Sequence, residues 1–390
     1  MSRVCGVPGA TATADAPLSA VAAAPAGSLA APLVFTKHVK HREKMYEVPA
    51  PLAPLFDTHA HLSCFWTKDP AEVLVRAARA GVRRIVTLYD PLGDDFDGLA
   101  AYQEQLAVWL DAARALARAD VYAGAPAAGE AERALSAGLD SEAAAAAPAA
   151  ASPMSNATTA PATVAAGALD LIDRVRYLVG AHPYGAPDYT DATHAVLEAA
   201  LNDSRCTGIG EIGLDYHFDA DDQIEAAPHD VQIEVMARQL ELAVTRNVPV
   251  ELHLRNDDAD ERREAHADAR RVLVEVGVPA AGCVLHCFGE DRPTMERFLE
   301  LGCHIAFGGA ATFKRNEHIR EAFAACPLDR ILFETDCPYM APEPIRGLEC
   351  EPAMIAFTAD ALCRDRAGRT GEGAAAIARA AWENACRLFG

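Results

Sequence analysis

The sequence predicts an α/β fold, a single (β/α)8 TIM barrel, on three observations: eight short apolar runs, helical patterns between them, and ionisable residues gathered where those runs end. The runs are Pro54–Thr58, Arg84–Tyr89, Arg176–Ala181, Thr207–Ile212, Val248–Leu254, Cys283–His286, Cys303–Gly308 and Arg330–Glu334. Each is rich in β-branched residues or leucine and short enough for a strand covered on both faces. Asp69 as N-cap and Pro70 at the first helical position open one helix, and Gly81 closes it. Leu99, Leu106, Leu110 and Ala113 form the apolar stripe of the next. Further helices fit 229–246, 267–276, 293–301, 316–325, 351–364 and 371–389. Strand-then-helix units in this number suit a closed barrel of about 250 residues. An open doubly wound sheet would want a Gly-rich phosphate turn after the first strand, which this sequence lacks.

Two stretches break the rhythm. Residues 1–48 are rich in Ala, Pro, Gly, Ser and Thr and read as a disordered tail. Asp15 and repeated prolines interrupt its apolar residues, against a secretory signal. The basic patch Lys37, His38, Lys40, His41, Arg42 and Lys44 reads as a solvated linker. The second stretch, about 123–167, holds the run Ala143–Ala147 and prolines at 126, 148, 153 and 161. Those prolines, with glycines and hydroxyl residues, outweigh the helical preference of alanine. Because strand and helix resume after it, it reads as a surface insertion in one domain spanning 49–390.

Composition narrows the partners. Apolar residues make up 51% of the 390, enough for a large core, and none of their runs is long enough to span a bilayer. The eleven cysteines are scattered without a CxxC, which suits free thiols in a reducing compartment. A cytoplasmic monomer with no membrane partner is therefore expected. A net charge of −21 opposes general affinity for a polyanion, so any nucleic acid must be gripped locally.

Barrel active sites lie at the C-terminal ends of the strands. There the chain places Asp57, His59 and His61 after the first run, His182 after the third, and Glu211 and Asp215 after the fourth. His253 and Arg255 follow on the fifth, His286 on the sixth, and Glu334 and Asp336 on the eighth. In an extended segment His59 and His61 share a face, so both imidazoles can reach one metal. Singly, His182, His253 or His286 could be a satisfied core histidine, and Asp57 a structural carboxylate. Together, so many polar groups in a barrel mouth need a cation or partners to compensate their burial. Mixed imidazole and carboxylate donors suit Zn²⁺ or Mn²⁺, and Mg²⁺ where water completes the shell. Cys287 and Cys337 adjoin two of these positions, and strand alternation turns their side chains away. His194, His229, His266 and His318 read as surface residues.

The segments FDTHAHL (56–62), GAHPY (180–184), GIGEIGLDY (208–216), VPVELHLR (248–255), VLHCFG (284–289), IAFGGAATF (305–313) and LFETDCPYM (332–340) resemble the TatD-type deoxyribonucleases, a branch of the amidohydrolase-like barrels. They run in the family's order from about residue 54 onward. The resemblance implies that His59, His61 and Asp336 bind one of two divalent metals (Mg, Mn or Zn). It implies that Glu211 bridges both and that His253 and His286 bind the second. His182 corresponds to a substrate-contacting histidine, and Arg255 and Arg346 to arginines that meet phosphate. Asp336 is the candidate base. The implied activity is hydrolysis of nucleic-acid phosphodiesters from 3′ ends or single strands.

The chain departs from that pattern at Cys350, where Asn is usual, and at Glu290 and Asp291, where small residues are usual. The two carboxylates bear on phosphate binding. An amidohydrolase acting on a small C–N or ester substrate, and a metal-binding protein without catalysis, are the competing readings.

Overall fold

The computed structural model describes residues 32–40, 42–124, 161–217 and 226–390. Its first elements are the strands β1 (Val34–Val39) and β2 (Arg42–Glu47), then β3 (Leu55–Asp57), α1 (Pro70–Arg79), β4 (Val82–Tyr89) and α2 (Leu99–Gly124). After α3 (Pro161–Asp173) come β5 (Val175–Val179), α4 (Asp191–Ala200), β6 (Cys206–Asp215), α5 (His229–Arg246), β7 (Val250–Arg255) and α6 (Glu264–Val276). The chain continues through β8 (Cys283–Leu285), α7 (Arg292–Leu299), β9 (His304–Phe307), α8 (Glu317–Ala325), β10 (Ile331–Phe333), α9 (Ile355–Thr370) and α10 (Ala374–Phe389).

Strands β3 to β10 lie side by side in sequence order, all parallel. The sheet meets itself where β3 and β10 run on past their ends. There Thr58 N donates to Phe333 O (3.2 Å), Asp336 N to His59 O (3.0 Å) and His61 N to Cys337 O (2.9 Å). These bonds satisfy the two edges that an open sheet would leave unpaired. Each expected strand is present, as is the Asp69 cap, whose carboxylate accepts from Ala71 N (2.8 Å) and Glu72 N (3.1 Å).

The barrel interior is divided along its axis. Its N-terminal part is apolar: Phe56, Val86, Leu88, Leu178, Val284, Ala306 and Leu332 pack with Ala385, Leu388 and Phe389 of α10. Asn384 fixes that helix by donating to the carbonyls of Leu328 and Ile331, both at 2.8 Å. The other face of the strands carries the larger apolar layer under the helices. With one end of the barrel plugged by hydrocarbon, the polar strand ends open at the other.

Three expectations are corrected. Residues 34–40 and 42–47, placed in the tail, form a hairpin with Val34 opposite Glu47 and Val39 opposite Arg42. Phe35 is buried, its ring 6.3 Å from that of Phe357, and this anchorage orders the segment. The insertion is bounded more narrowly, since α2 runs to Gly124 and α3 starts at Pro161; residues 125–160 and 1–31 lie outside the described residues. Helix α4 escaped the periodicity because only Thr193, Leu197 and Ala200 of it are buried, although Thr190 and Thr193 make a capping box. Among the described residues no helix is long and apolar enough to cross a membrane.

Phe56 tests the plug, because its ring meets both Trp382 (6.1 Å) and Phe389 (6.4 Å). Phe56→Ala should lower the free energy of unfolding by about 3–5 kcal/mol in denaturant titration.

Candidate metal centre and active site

Strand β7 shows how the site is built. Val250, Leu252 and Leu254 face the outer apolar layer, so Glu251, His253 and Arg255 point inward in successive levels. Glu251 is fully buried, His253 partly, and Arg255 reaches the mouth. On β6 the register shifts: Ile209 pairs with Val250 but Ile212 with Leu252. This bulge places an extra residue between them, and Glu211 turns into the barrel there. Gly210 makes room, since a Cβ on it would lie 2.9 Å from that of Glu251. Gly213 (φ +145°) leaves no room at all: a Cβ there would come within 2.0 Å of the His253 carbonyl oxygen. Asp57 is the structural carboxylate of the set. It accepts from Thr335 N (2.8 Å) and Thr335 Oγ1 (2.6 Å), joining the β3 extension to the segment that carries Asp336.

The structure gathers the expected donors around Glu211, whose two oxygens face different neighbours. Oε2 lies 3.9 Å from His59 Nε2 and 3.8 Å from His61 Nε2. Asp336 Oδ1 completes that group at 3.7 and 3.5 Å from the same nitrogens. Oε1 lies 2.7 Å from His253 Nδ1 and 2.9 Å from His286 Nε2. The hydrogen bonds behind these atoms fix the tautomers. His59 Nδ1 is bonded to Glu251 Oε1 (2.6 Å), so its Nε2 presents a lone pair to His61 Nε2 at 3.0 Å. His253 Nε2 is bonded to Asp215 Oδ2 (3.0 Å), leaving Nδ1 to face Glu211 and His286. Lone pairs that oppose carboxylate oxygens at such distances require positive charge between them, from protons or from metal. Imidazole and carboxylate donors suit divalent cations, and the groups His59–His61–Glu211, His59–His286–Asp336 and Glu211–His253–His286 each bring their ligand atoms within 4.8 Å of one another.

Protonation follows the same division. Burial opposes the charge on Glu211, yet His286, His253 and His182 hold it well below the usual carboxylate range. Asp336 is likewise lowered, its burial outweighed by His61, His59 and His286. Burial pushes Glu251 up to about 8 and Asp57 to about 7, and raises Glu334 well above its ordinary value. Against burial, Asp336 and Glu211 push His61 up to about 9, and Asp215 and Glu211 push His253 to about 10. Burial lowers His59 to about 4, and burial with the neighbouring His253 lowers His182 to about 3.

His182 stands slightly apart. Its Nδ1 accepts from Tyr184 N (3.2 Å), so Nε2 carries the proton and points toward Glu211 Oε1 at 3.9 Å. That makes it a hydrogen-bond donor beside the metal donors, in a cavity of about 870 Å³ that also meets Arg255. Arg346, the other expected phosphate contact, is absent from that lining and is exposed, its guanidinium 4.2 Å from the Phe313 ring centroid.

Two further expectations fail. Cys287 lines the cavity and its thiol bonds to Asp336, because it lies past the end of β8 with φ +45°, where strand alternation no longer applies. His266 is buried and bonded to Asn256 Nδ2 at 2.8 Å, so it is no surface residue. Glu290 and Asp291 are already paired: Arg263 reaches Glu290 at 2.5 Å and Asp291 at 2.9 Å. Both carboxylates hold the β7–α6 loop through the one guanidinium, which offsets only one of their two charges.

The sequence reading missed Glu251 behind His59, and it placed Asp215 at a strand end without giving it the task of orienting His253. Glu251 carried a signal, since it sits two residues before His253 and so shares its face of β7. Asp90 was also missed; its carboxylate accepts from His182 N at 3.2 Å.

A barrel with imidazoles and carboxylates converging at the C-terminal mouth is that of a metal-dependent hydrolase. Within that class the chain belongs to the family of TatD-related DNases, whose model matches residues 56–390. The metal-dependent hydrolase YabD of Bacillus subtilis is 32% identical over 225 residues, covering 57% of this chain and 81% of YabD. The metal-dependent hydrolase YcfH of Escherichia coli K12 is 36% identical over 220 residues, covering 56% of this chain and 74% of YcfH. In fold, the TatD homologue YjjV of E. coli superposes with a TM-score of 0.58 at 24% identity, over 87% of this chain and 98% of YjjV. A TatD-family hydrolase of Entamoeba histolytica gives 0.56 at 15% identity, over 86% and 98%.

Glu251→Leu should leave the barrel folded and weaken metal binding by roughly 10–100-fold, because His59 loses the acceptor that fixes its tautomer. Metal per chain after dialysis against graded chelator measures this. In the same assay Glu211→Ala should lose metal from both donor groups.

Proposed function

We propose that the protein hydrolyses phosphodiester bonds of nucleic acid, acting from 3′ ends or single strands with two divalent cations. The observation that carries this reading is the division of Glu211, with Oε2 toward His59 and His61 and Oε1 toward His253 and His286. A carboxylate placed so can bridge two ions. His59, His61 and Asp336 would hold one ion, His253 and His286 the other. Divalent cations bound there supply positive charge that acidifies water and offsets the charge growing on phosphate.

The chain's own groups do the rest. Asp336, kept ionised by its histidine neighbours, accepts the proton of the attacking water. His182 offers Nε2–H to a phosphate oxygen, and Arg255 adds a fixed charge at the mouth. Glu251 and Asp215 stay out of contact with substrate and hold His59 and His253 in their tautomers.

Protein stripped of metal and reloaded with Mg²⁺, Mn²⁺ or Zn²⁺ should cleave single-stranded oligonucleotides faster than long duplex. Asp336→Asn should lower kcat by about 10²–10⁴. The acidic wall formed by Asp257, Asp258, Asp260 and Glu261 favours a second reading, a small uncharged or cationic amide or ester as substrate. Turnover of a lactone or cyclic amide by the loaded enzyme, with no release from oligonucleotides, would put that reading in place of the nuclease.

A further inference from the structure

The β1–β2 hairpin lies outside the matched family region, residues 56–390, and the reading above gives it no task. It is nonetheless attached beside the catalytic mouth. Phe35 packs on Phe357, Lys68 Nζ lies 5.7 Å above the Phe35 ring, and Lys37 Nζ donates to Pro344 O at 3.5 Å. Lys68 and Pro344 belong to the loops that follow β3 and β10, the strands that carry His59, His61 and Asp336. The residues that fasten the hairpin are thus Phe35 and Lys37.

Beyond those anchors the same face turns basic, since Lys44 and Arg42 pair with Lys37 and Val39, while Glu43 and Glu47 lie on the other face. Lys40, Arg42 and Lys44 are exposed, and among the described residues none has an ion-pair partner; Glu43 faces His38 at 3.7 Å. Lys37 and Lys44 stand directly opposite each other across the two strands. Like charges in that position destabilise a hairpin. In a chain of net charge −21, local positive charge kept at such a cost suits an anionic partner.

A second feature adjoins it. Trp66 is 54% exposed, in the same β3–α1 loop as Lys68. Its ring meets that of Tyr339 at 6.0 Å, and Tyr339 meets His61 at 6.1 Å. The backbone N–H groups of Trp66 and Thr67 are held by the Glu349 carboxylate, which fixes the exposed indole to the β10–α9 loop. An aromatic surface thus leads from solvent to the metal donors, with a basic hairpin next to it. Stacking faces beside positive charge are how proteins hold single-stranded nucleic acid without reading its sequence.

We infer that the β1–β2 hairpin is an arm for the phosphate backbone of a single-stranded polynucleotide, whose terminal base stacks on Trp66 and Tyr339 beside the metal centre. The arm rests on the nuclease reading for its substrate but can be tested apart from it. Binding of a 5′-labelled single-stranded oligonucleotide, DNA in one arm and RNA in the other, is measured in chelator so that no hydrolysis occurs. The comparison is between the full chain and Lys40→Gln/Arg42→Gln/Lys44→Gln, with melting temperature and metal content as the check on folding.

The triple variant should bind at least about tenfold more weakly near 0.1 M salt, and its slope of log affinity against log salt should fall by about 2. Trp66→Ala should weaken binding without altering that slope. With metal restored, the ratio of turnover on a long oligonucleotide to that on bis(4-nitrophenyl) phosphate should fall in the triple variant. Equal affinity and equal slope in the wild type and the triple variant would overturn the arm, and would leave the nuclease reading standing if both cleave. Hairpin-dependent binding without cleavage in any metal would uphold the arm and overturn the nuclease reading.

Discussion

Glu211 sets the terms for everything around it. Its carboxylate is buried and ionised, and it divides its oxygens between two sets of imidazoles. A charge in that position is tolerable only where positive charge meets both oxygens, so His59, His61, His253 and His286 must converge on it. Convergence requires fixed tautomers, which Glu251 and Asp215 supply from behind. Those carboxylates are buried in turn, and Glu251 answers by holding its proton up to about 8. The constraint therefore spreads outward from one residue to the strands on either side of it.

The barrel accommodates this because its two ends differ. At the N-terminal end, α10 closes the interior with Leu388 and Phe389, and its Asn384 meets the carbonyls of Leu328 and Ile331. At the C-terminal end the strands stop short or bend, and the residues just past them become the site. The bulge in β6 and the left-handed Asp336 and Cys287 are departures from regular geometry at that end. Regular strand structure would alternate these side chains in and out, and would not aim Glu211 at its present place.

Loops around the mouth are held by ion pairs of known partners. Arg263 ties the β7–α6 loop to Glu290 and Asp291, and Glu351 ties Arg76 (2.8 Å) and Lys68 (2.6 Å) together under the β3 side. Glu351 is buried, so losing both cationic partners would leave an uncompensated charge in the interior. The hairpin rests on the same side, against Phe357 and Pro344. The mouth is thus bordered by the acidic residues of the β7–α6 loop, and the hairpin is fastened to the loops that follow β3 and β10.

The sequence by itself determined the strands, the barrel and the candidate site, because each is written locally. A buried strand needs a short apolar run, and an active site at strand ends needs ionisable residues just after it, so His59, His61, Glu211, His253, His286 and Asp336 stood out together with the other polar residues at the strand ends. The family resemblance then sorted them into roles. Tertiary structure decided what depends on partners distant in the chain. Glu251 serves His59 from 192 residues away, and whether a buried carboxylate is idle or orienting depends on what it faces. Cys287 and His266 were misplaced for the same reason, since the burial of a side chain past a strand end or in the first turn of a helix is decided by the surface it packs against. The β1–β2 hairpin looked like a polar linker because its order comes from Phe35 meeting Phe357, a contact across more than 300 residues that no local pattern encodes.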